Sequence, residues 1–309
     1  MSLLDKTCVS TTLSQGAFAM LFNGCSTLTS APKLPSMTIP ADGYRGMFLG
    51  CSALAKAPAL PATTLGTYCY SAMFQDCTSL TTAPALQATT LANYCCQYMF
   101  SGSTSLTSAP ALPATTLANY CYQYMFKDCT SLTTAPTISA TTLADYCYFN
   151  MFNGCTSLTS APALNATSLK TGCYRAMFIY CSALTQAPAL PATTLTKECY
   201  RGMFQGTGLT QAPELPATTL AQDCYKYMFY NCQGLTKSPA LPAKTLATEC
   251  YYQMFQGCSN LNEVTAAFTT WTSGATTNWL YGVASTGHFY CPPTLDQTQT
   301  GASYIPTGW

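Results

Sequence analysis

Nineteen cysteines, twenty-one tyrosines, eleven carboxylates and a single histidine are the side chains in this 309-residue chain that could do chemistry. Their spacing decides which chemistry is open to them. Catalysis needs a nucleophile beside a base, a carboxylate pair or a bound metal. His288 stands alone in Ser-Thr-Gly-His-Phe-Tyr-Cys, and the acids, among them Asp145, Glu198, Asp223 and Glu249, scatter with no recurrent pairing. No glycine-rich loop follows a strand to cradle phosphate. Zinc is the least favoured use of the cysteines, because closely spaced Cys pairs and ligand histidines are both missing. No enzyme activity, cofactor or metal is therefore expected.

The cysteines and tyrosines fall instead into columns set by a phenylalanine: Phe22, Phe48, Phe74, Phe100, Phe126, Phe152, Phe178, Phe204, Phe229 and Phe255, spaced by 26 residues except for one step of 25. Eight cysteines lie five residues before this Phe and eight lie three after it, leaving Cys8, Cys96 and Cys291. A disulfide framework suits an extracellular chain, but one column is often present without the other, as at Cys95 with Ser103 or Cys199 with Thr207. Buried thiols acting as small apolar fillers are the preferred reading.

Tyrosine occupies the position four before Phe in eight coils, including Tyr44, Tyr70 and Tyr122, and the position six before it in Tyr68, Tyr94, Tyr120 and Tyr146. Aromatic rings with polar tips suit contacts to carbohydrate or protein. The first column shares the Phe face and is read mainly as core. The second borders exposed positions, and binding and core are weighed evenly there. Three before Phe the residue changes from coil to coil, with Phe149, Arg175, Arg201 and Tyr252 among the occupants. These are candidate binding residues, against the plainer reading of a solvated face. A threonine ladder seven past Phe, similar to those of some ice-binding solenoids, is a minor alternative.

The elements that must position these columns follow from the spacing. Leu or Ile nine before Phe, Cys five before, Met one before, Phe itself and Cys three after lie three to five residues apart, which predicts one face of a helix of about 9 to 12 residues. Thr-Thr ahead of it supplies an N-cap, and glycine two after Phe suits a left-handed C-cap. A short extended segment follows, with Leu six past Phe in nine coils and Pro ten past it in eight, Pro213 standing nine past in the shorter coil. Proline cannot donate to a ladder, so the strand must be very short or turn that position away. One helix and one strand cannot bury an apolar face alone, whereas stacked coils can. The expected fold is α/β: a leucine-rich-repeat-like solenoid of about ten 26-residue coils over residues 1–262. Residues 263–309, which hold all three tryptophans, form a C-terminal capping segment. The first coil has no comparable cap, and its open end is a place for a partner.

The string Met-Phe-x-Gly-Cys-Thr-Ser-Leu-Thr-Ser-Ala-Pro-Ala-Leu resembles the BspA-like class of leucine-rich repeats, found in bacterial surface proteins and phage-encoded relatives. The resemblance covers residues 11 to about 262. The unit here is longer than is usual in that class, and Ala-Pro stands where members place β-branched residues. The resemblance implies a cell-surface or extracellular binding protein.

Charged residues make up 7% of the chain and the net charge is +1, which argues against nucleic acid or anionic lipid as partner. The first thirteen residues lack a signal-peptide core, and no apolar run is long enough to span a membrane. The function expected is adhesion through a rigid repeat scaffold to glycans or host proteins. The alternative is a structural subunit, a surface filament or phage virion component, that associates end to end with copies of itself.

Overall fold

Gly46 stands inside the stretch expected to be helical yet holds a left-handed backbone, with φ of 56°, four residues before Gly50, whose φ of 72° fits the expected cap. The computed structural model describes residues 13–309, so Cys8, the N-cap Thr11-Thr12 and whatever precedes the first coil lie outside the described residues. Among the described residues there is no helix. The predicted helix is replaced by a ribbon of consecutive turns.

The coil around Phe48 shows how the ribbon is built. The amides of Gly43, Arg45, Met47, Leu49 and Cys51 each donate three residues back, to the carbonyls of Pro40, Asp42, Tyr44, Gly46 and Phe48, at 3.0–3.2 Å. The intervening amides of Asp42, Tyr44, Gly46, Phe48 and Gly50 donate to Thr67, Cys69, Ser71, Met73 and Gln75 of the next coil, at 2.8–2.9 Å. Positive φ recurs six and two before Phe and two after it, as in Tyr94, Tyr98 and Gly102 or Glu198, Gly202 and Gly206. A positive φ at the third position marks a type II turn, so such turns alternate with turns whose central φ values are negative. Half of the ribbon's amides are satisfied locally and half by the neighbouring coil. A lone coil would leave the second half without protein partners.

This backbone repeats every four residues, so adjacent pairs of side chains point inward together. In the coil of Phe74 the inward set is Cys69, Tyr70, Met73, Phe74, Cys77 and Leu80, all at most 1% exposed. The tyrosines four before Phe are thus core. Within each unit the phenylalanines stack in series: from Phe22 to Phe152 the centroids are 5.5–5.7 Å apart with rings within 7° of parallel. In the second half, Phe178, Phe204, Phe229 and Phe255 stack at 5.5–5.9 Å.

The chain divides into two units, Met1–Leu158 and Thr159–Trp309. In the first, β1 (Thr38–Ile39) pairs in parallel with β2 (Thr64–Leu65), and elsewhere only isolated bridges such as Lys56 to Thr82 and Thr82 to Ser108 join coils on this side. The Ala-Pro segments limit pairing, as their missing amides require. In the second, β3 (Lys237–Leu241), β4 (Glu263–Ala266) and β5 (His288–Tyr290) form a parallel sheet. β3 contains Pro239, and its register slips between Lys237 and Ala240.

The turn ribbon runs on past the last recognisable repeat. Gly274, Asn278 and Gly282 carry positive φ at the same four-residue spacing, and the amides of Tyr251, Phe255 and Gly257 donate to Ala275, Trp279 and Tyr281. Trp279, wholly buried, takes the place of the usual Met, and Leu280 that of Phe. Beyond this coil, Ala302 accepts from the Leu280 amide and the Ser303 hydroxyl from that of Asn278. The indole N–H groups of Trp271, Trp279 and Trp309 donate to the carbonyls of Asp296, Tyr304 and Ala284.

The eighteen described cysteines are all free thiols. Those three past Phe do more than fill space. Cys77, Cys129 and Cys155 each donate Sγ–H to the Phe carbonyl of the preceding coil at 3.0–3.1 Å, and Ser103 makes the same bond through Oγ at 2.8 Å. That shared donor role explains why serine replaces cysteine at 103. Burial pushes the Cys77 and Cys147 thiols up to about 12, so they stay protonated and unreactive at neutral pH.

Candidate functional site: a tyrosine ladder and an ionic ladder

The positions six, three and two before Phe are set by the turn ribbon and border its core: Tyr94 and Tyr120 are half-buried, whereas Gln123, Glu198 and Asp223 are buried. In the first unit, Tyr68, Tyr94, Tyr120 and Tyr146 occupy the first of these in successive coils. Their centroids are 4.6, 4.8 and 5.1 Å apart and the rings lie within 10° of parallel. A second stack, Tyr98 on Tyr124 at 4.7 Å, stands two before Phe, and between the columns Gln97 donates to Gln123 at 2.5 Å. Phe149 joins the end of both stacks, edge-on to Tyr146 at 6.1 Å and tilted against Tyr124 at 5.3 Å. Arg45 covers the other end, its guanidinium 5.4 Å from the Tyr68 ring centre.

Two physical facts define this surface. All six tyrosines hold φ between 54° and 58°, a conformation that costs a non-glycine residue roughly 1–2 kcal/mol. A stacked aromatic pair returns about 0.5–1.5 kcal/mol. The strain is offset by the ladder rather than overcome by it, so glycine, asparagine or aspartate would serve the backbone better. Second, Tyr94 and Tyr120 have both ring faces covered by neighbours. What these half-buried residues present outward is a row of ring edges and phenol groups, preformed and rigid.

In the second unit the same columns carry charge. Glu198, Asp223 and Glu249 stand six before Phe, and Arg175, Arg201 and Lys226 stand three before it. Arg175 pairs with Glu198 at 2.5 Å, Arg201 lies 3.9 Å from both Glu198 and Asp223, and Lys226 lies 3.6 Å from Asp223 and pairs with Glu249. The hydrogen bond from Lys226 draws the Glu249 carboxyl below its ordinary range. Burial pushes that of Asp223 up, against the pull of Lys226 and Arg201. Lys226 also sits 4.5 Å from the Tyr252 ring centre.

Of the sequence-derived candidates, Tyr68, Tyr94, Tyr120, Tyr146 and Phe149 come together on one surface. Arg175 and Arg201 are engaged in the ionic ladder, and Tyr252 terminates it through Lys226. Three of the acids that seemed scattered, Glu198, Asp223 and Glu249, form a column, and Asp145 stands outside it. Their i,i+3 relation to the bases, Glu198 to Arg201 and Asp223 to Lys226, was available as a signal. Arg45, Gln97, Gln123 and Lys226 belong to the variable column three before Phe that the sequence offered as a candidate surface, whereas Tyr98 and Tyr124 were missed. For the two tyrosines the signal is their position two before Phe, on the same side as the first column.

Among the described residues no three His, Cys, Asp or Glu side chains converge to hold a metal, and no helix is long and apolar enough to cross a membrane. The architecture defines a repeat protein in which each coil is completed by its neighbour and the surface columns are free to vary. The BspA-type leucine-rich repeat region matches six copies over residues 19–133, 46–185 and 176–279, and the chain belongs to that family. Its members are generally surface binding proteins, typically without enzymatic activity, and such repeats generally bind proteins. A leucine-rich repeat protein from Bacteroides ovatus is similar at 20% identity, over 88% of this chain and 79% of that one, with a TM-score of 0.37. No curated protein matches significantly.

Proposed function

We propose that the chain is a non-enzymatic adhesion protein of the extracellular space or cell surface, and that the ladder Tyr68, Tyr94, Tyr120 and Tyr146, with Tyr98, Tyr124 and Phe149 beside it, is its docking face for a host or surface protein. One observation carries this reading: six tyrosines at left-handed positions of the first unit stack into two adjacent ladders, whereas elsewhere the fold fills such positions with Gly, Asp, Asn, Glu, Ala, Met or Gln, or with Tyr180 and Tyr227 outside any such stack. Strain retained at a surface column points to a use for the side chain. Tyrosine is a preferred anchor in protein interfaces, and rings already locked by stacking lose little further entropy on binding. A protein partner is favoured over a glycan on this face, because sugars stack on ring faces and the inner faces here are occupied.

End-to-end association, the other reading of a low-charge repeat, is disfavoured at the C-terminal coil, whose outward amides at Asn278 and Leu280 are already taken by Ser303 and Ala302. The test is surface plasmon resonance of the intact chain against a panel of host-matrix and surface proteins, with the Tyr94→Ala/Tyr120→Ala variant alongside. Binding that drops at least tenfold in the variant, with circular dichroism unchanged, is expected. No binding at high micromolar concentration, or binding indifferent to the substitutions, overturns the proposal.

A further inference from the structure

The C-terminal segment contains a second site, remote in character from the tyrosine ladder. Thr269, Thr270, Trp271, Thr294, Asp296, Gln299 and Tyr304 line a surface cavity of about 400 Å³. That volume lies within the size of pockets that hold small ligands.

Its walls are fixed before any ligand arrives. The Trp271 indole donates to the Asp296 carbonyl at 2.8 Å and packs against Phe268 and Tyr304 at 5.1 and 5.2 Å. The Asp296 carboxylate accepts from the Thr298 amide at 3.0 Å, from its hydroxyl at 2.6 Å and from Gln299 at 3.3 Å. These bonds draw its pKa below the ordinary carboxylate range. A turn in which Gly301 donates to Ile305 and Tyr304 to Gly301 sets the Tyr304 ring, while the Tyr304 carbonyl accepts from Trp279.

The lining chemistry is specific. The cavity gathers one ionised carboxylate, one carboxamide, an indole, a phenol and three threonine hydroxyls, with no Lys, Arg or His. Among the described residues, the side-chain hydroxyls of Thr269, Thr270, Thr294 and Tyr304 make no hydrogen bond within the protein. An anionic ligand would meet the Asp296 charge with no compensating cation. A purely apolar one would offer nothing to the four hydroxyls and would cover an ionised carboxylate. A ligand with several hydroxyls and an apolar C–H face meets both demands: its hydroxyls donate to the carboxylate in charge-assisted bonds and exchange bonds with the threonines, and its C–H face rests on the aromatic wall.

We propose that this cavity is a binding site for a neutral saccharide of one or two sugar units, centred on Trp271 and Asp296. The site is separate from the ladder and does not depend on the protein-docking reading. The full chain is titrated with glucose, galactose, mannose, fucose, N-acetylglucosamine and their common disaccharides, and with choline, by saturation-transfer NMR and tryptophan fluorescence. At least one sugar is expected to bind, with at least tenfold weakening in both Trp271→Phe and Asp296→Asn and no change in Tyr94→Ala/Tyr120→Ala. Asp296→Asn, which keeps the size of the side chain, guards against a folding defect in Trp271→Phe. Absence of binding by every sugar, binding untouched by Asp296→Asn, or binding of choline alone overturns the assignment.

Discussion

The turn ribbon makes a quantitative prediction that a helix would not. Gly50 and Gly102 both lie two residues after Phe, with φ of 72° and 73°, yet their surroundings differ. The nearest atom to a Cβ on Gly50 would be Gly24 Cα at 3.7 Å, whereas a Cβ on Gly102 would fall inside contact distance of Asp76 Oδ1. Gly50→Ala should therefore cost only the left-handed strain, about 1–2 kcal/mol. Gly102→Ala must in addition push the Asp76 side chain off its rotamer, a further 0.5–1.5 kcal/mol or so. In an Asp76→Gly background that excess should vanish, because the Asp76–Gly102 contact then becomes like that of Gly24 with Gly50. Urea unfolding of the four variants and the parent, compared at equal m-values, measures the excess as a double-mutant coupling. A left-handed C-cap on an isolated helix carries no such dependence on the coil before it. Equal costs at the two glycines, or an excess that survives Asp76→Gly, would refute the stacked-ribbon geometry.

Four other outcomes follow from the same structure. Cys129→Ser should destabilise less than Cys129→Ala in urea unfolding, reversing the order of hydrophobicity, because serine can keep the bond to the Phe100 carbonyl as Ser103 does to Phe74. Burial raises Cys77, Cys147, Cys199 and Cys250 from 9.0 to about 12, so their contribution is complete below pH 9 and is lost as pH climbs towards 12. Denaturation across that range should show stability flat at neutral pH, then falling above pH 9 by up to about 1.4 kcal/mol per pH unit for each thiol that ionises only on unfolding. Trp279→Ala, which empties the core of the terminal coil, should cost about 3–5 kcal/mol and expose the C-terminal segment to limited proteolysis. Writing the second unit's columns into the first, as Tyr94→Glu, Tyr120→Glu, Gln97→Arg and Gln123→Arg together, should leave the circular dichroism intact while abolishing partner binding by plasmon resonance.

The 26-residue period and the inward columns at Cys, Tyr, Met, Phe and Leu were legible in the sequence, because burial in a stacked fold depends on side-chain type at fixed spacing. The local conformation was not. A helix turns every 3.6 residues and the ribbon every four, a difference of about 40° per turn, too small to separate over a nine-residue stretch such as Cys69 to Cys77. The discriminating sign was glycine: Gly46 and Gly202 stand inside the supposed helix, four residues before the cap glycines Gly50 and Gly206, and each of these interior glycines would cost about 1 kcal/mol if the backbone were helical. The terminal coil was hidden for a different reason. Trp279 and Leu280 fill the places of Met and Phe, so the pattern of residue types ends while the pattern of backbone conformations continues. At the tyrosine ladder the column could be read from spacing, but ring stacking follows from coil separation, which only coordinates supply.

The contrast between the two ladders shows what this backbone leaves open. The backbone at positions six, three and two before Phe is satisfied through main-chain bonds whatever side chain it carries, and the inward files of Cys, Tyr, Met, Phe and Leu do not depend on them. A column there is constrained only by its own neighbours one coil away, close enough for aromatic stacking in one unit and for ion pairing in the other. Like charges along one column would repel, so the ionic ladder needs acids at one position and bases at another, as Glu198, Asp223 and Glu249 alternate with Arg175, Arg201 and Lys226. Tyrosines need no complement, and one column suffices for a continuous strip. The ionic ladder spends its charges within the chain. The tyrosine ladder engages the ring faces and leaves edges and polar tips outward, which is why we propose the docking face on the first unit and not on the second.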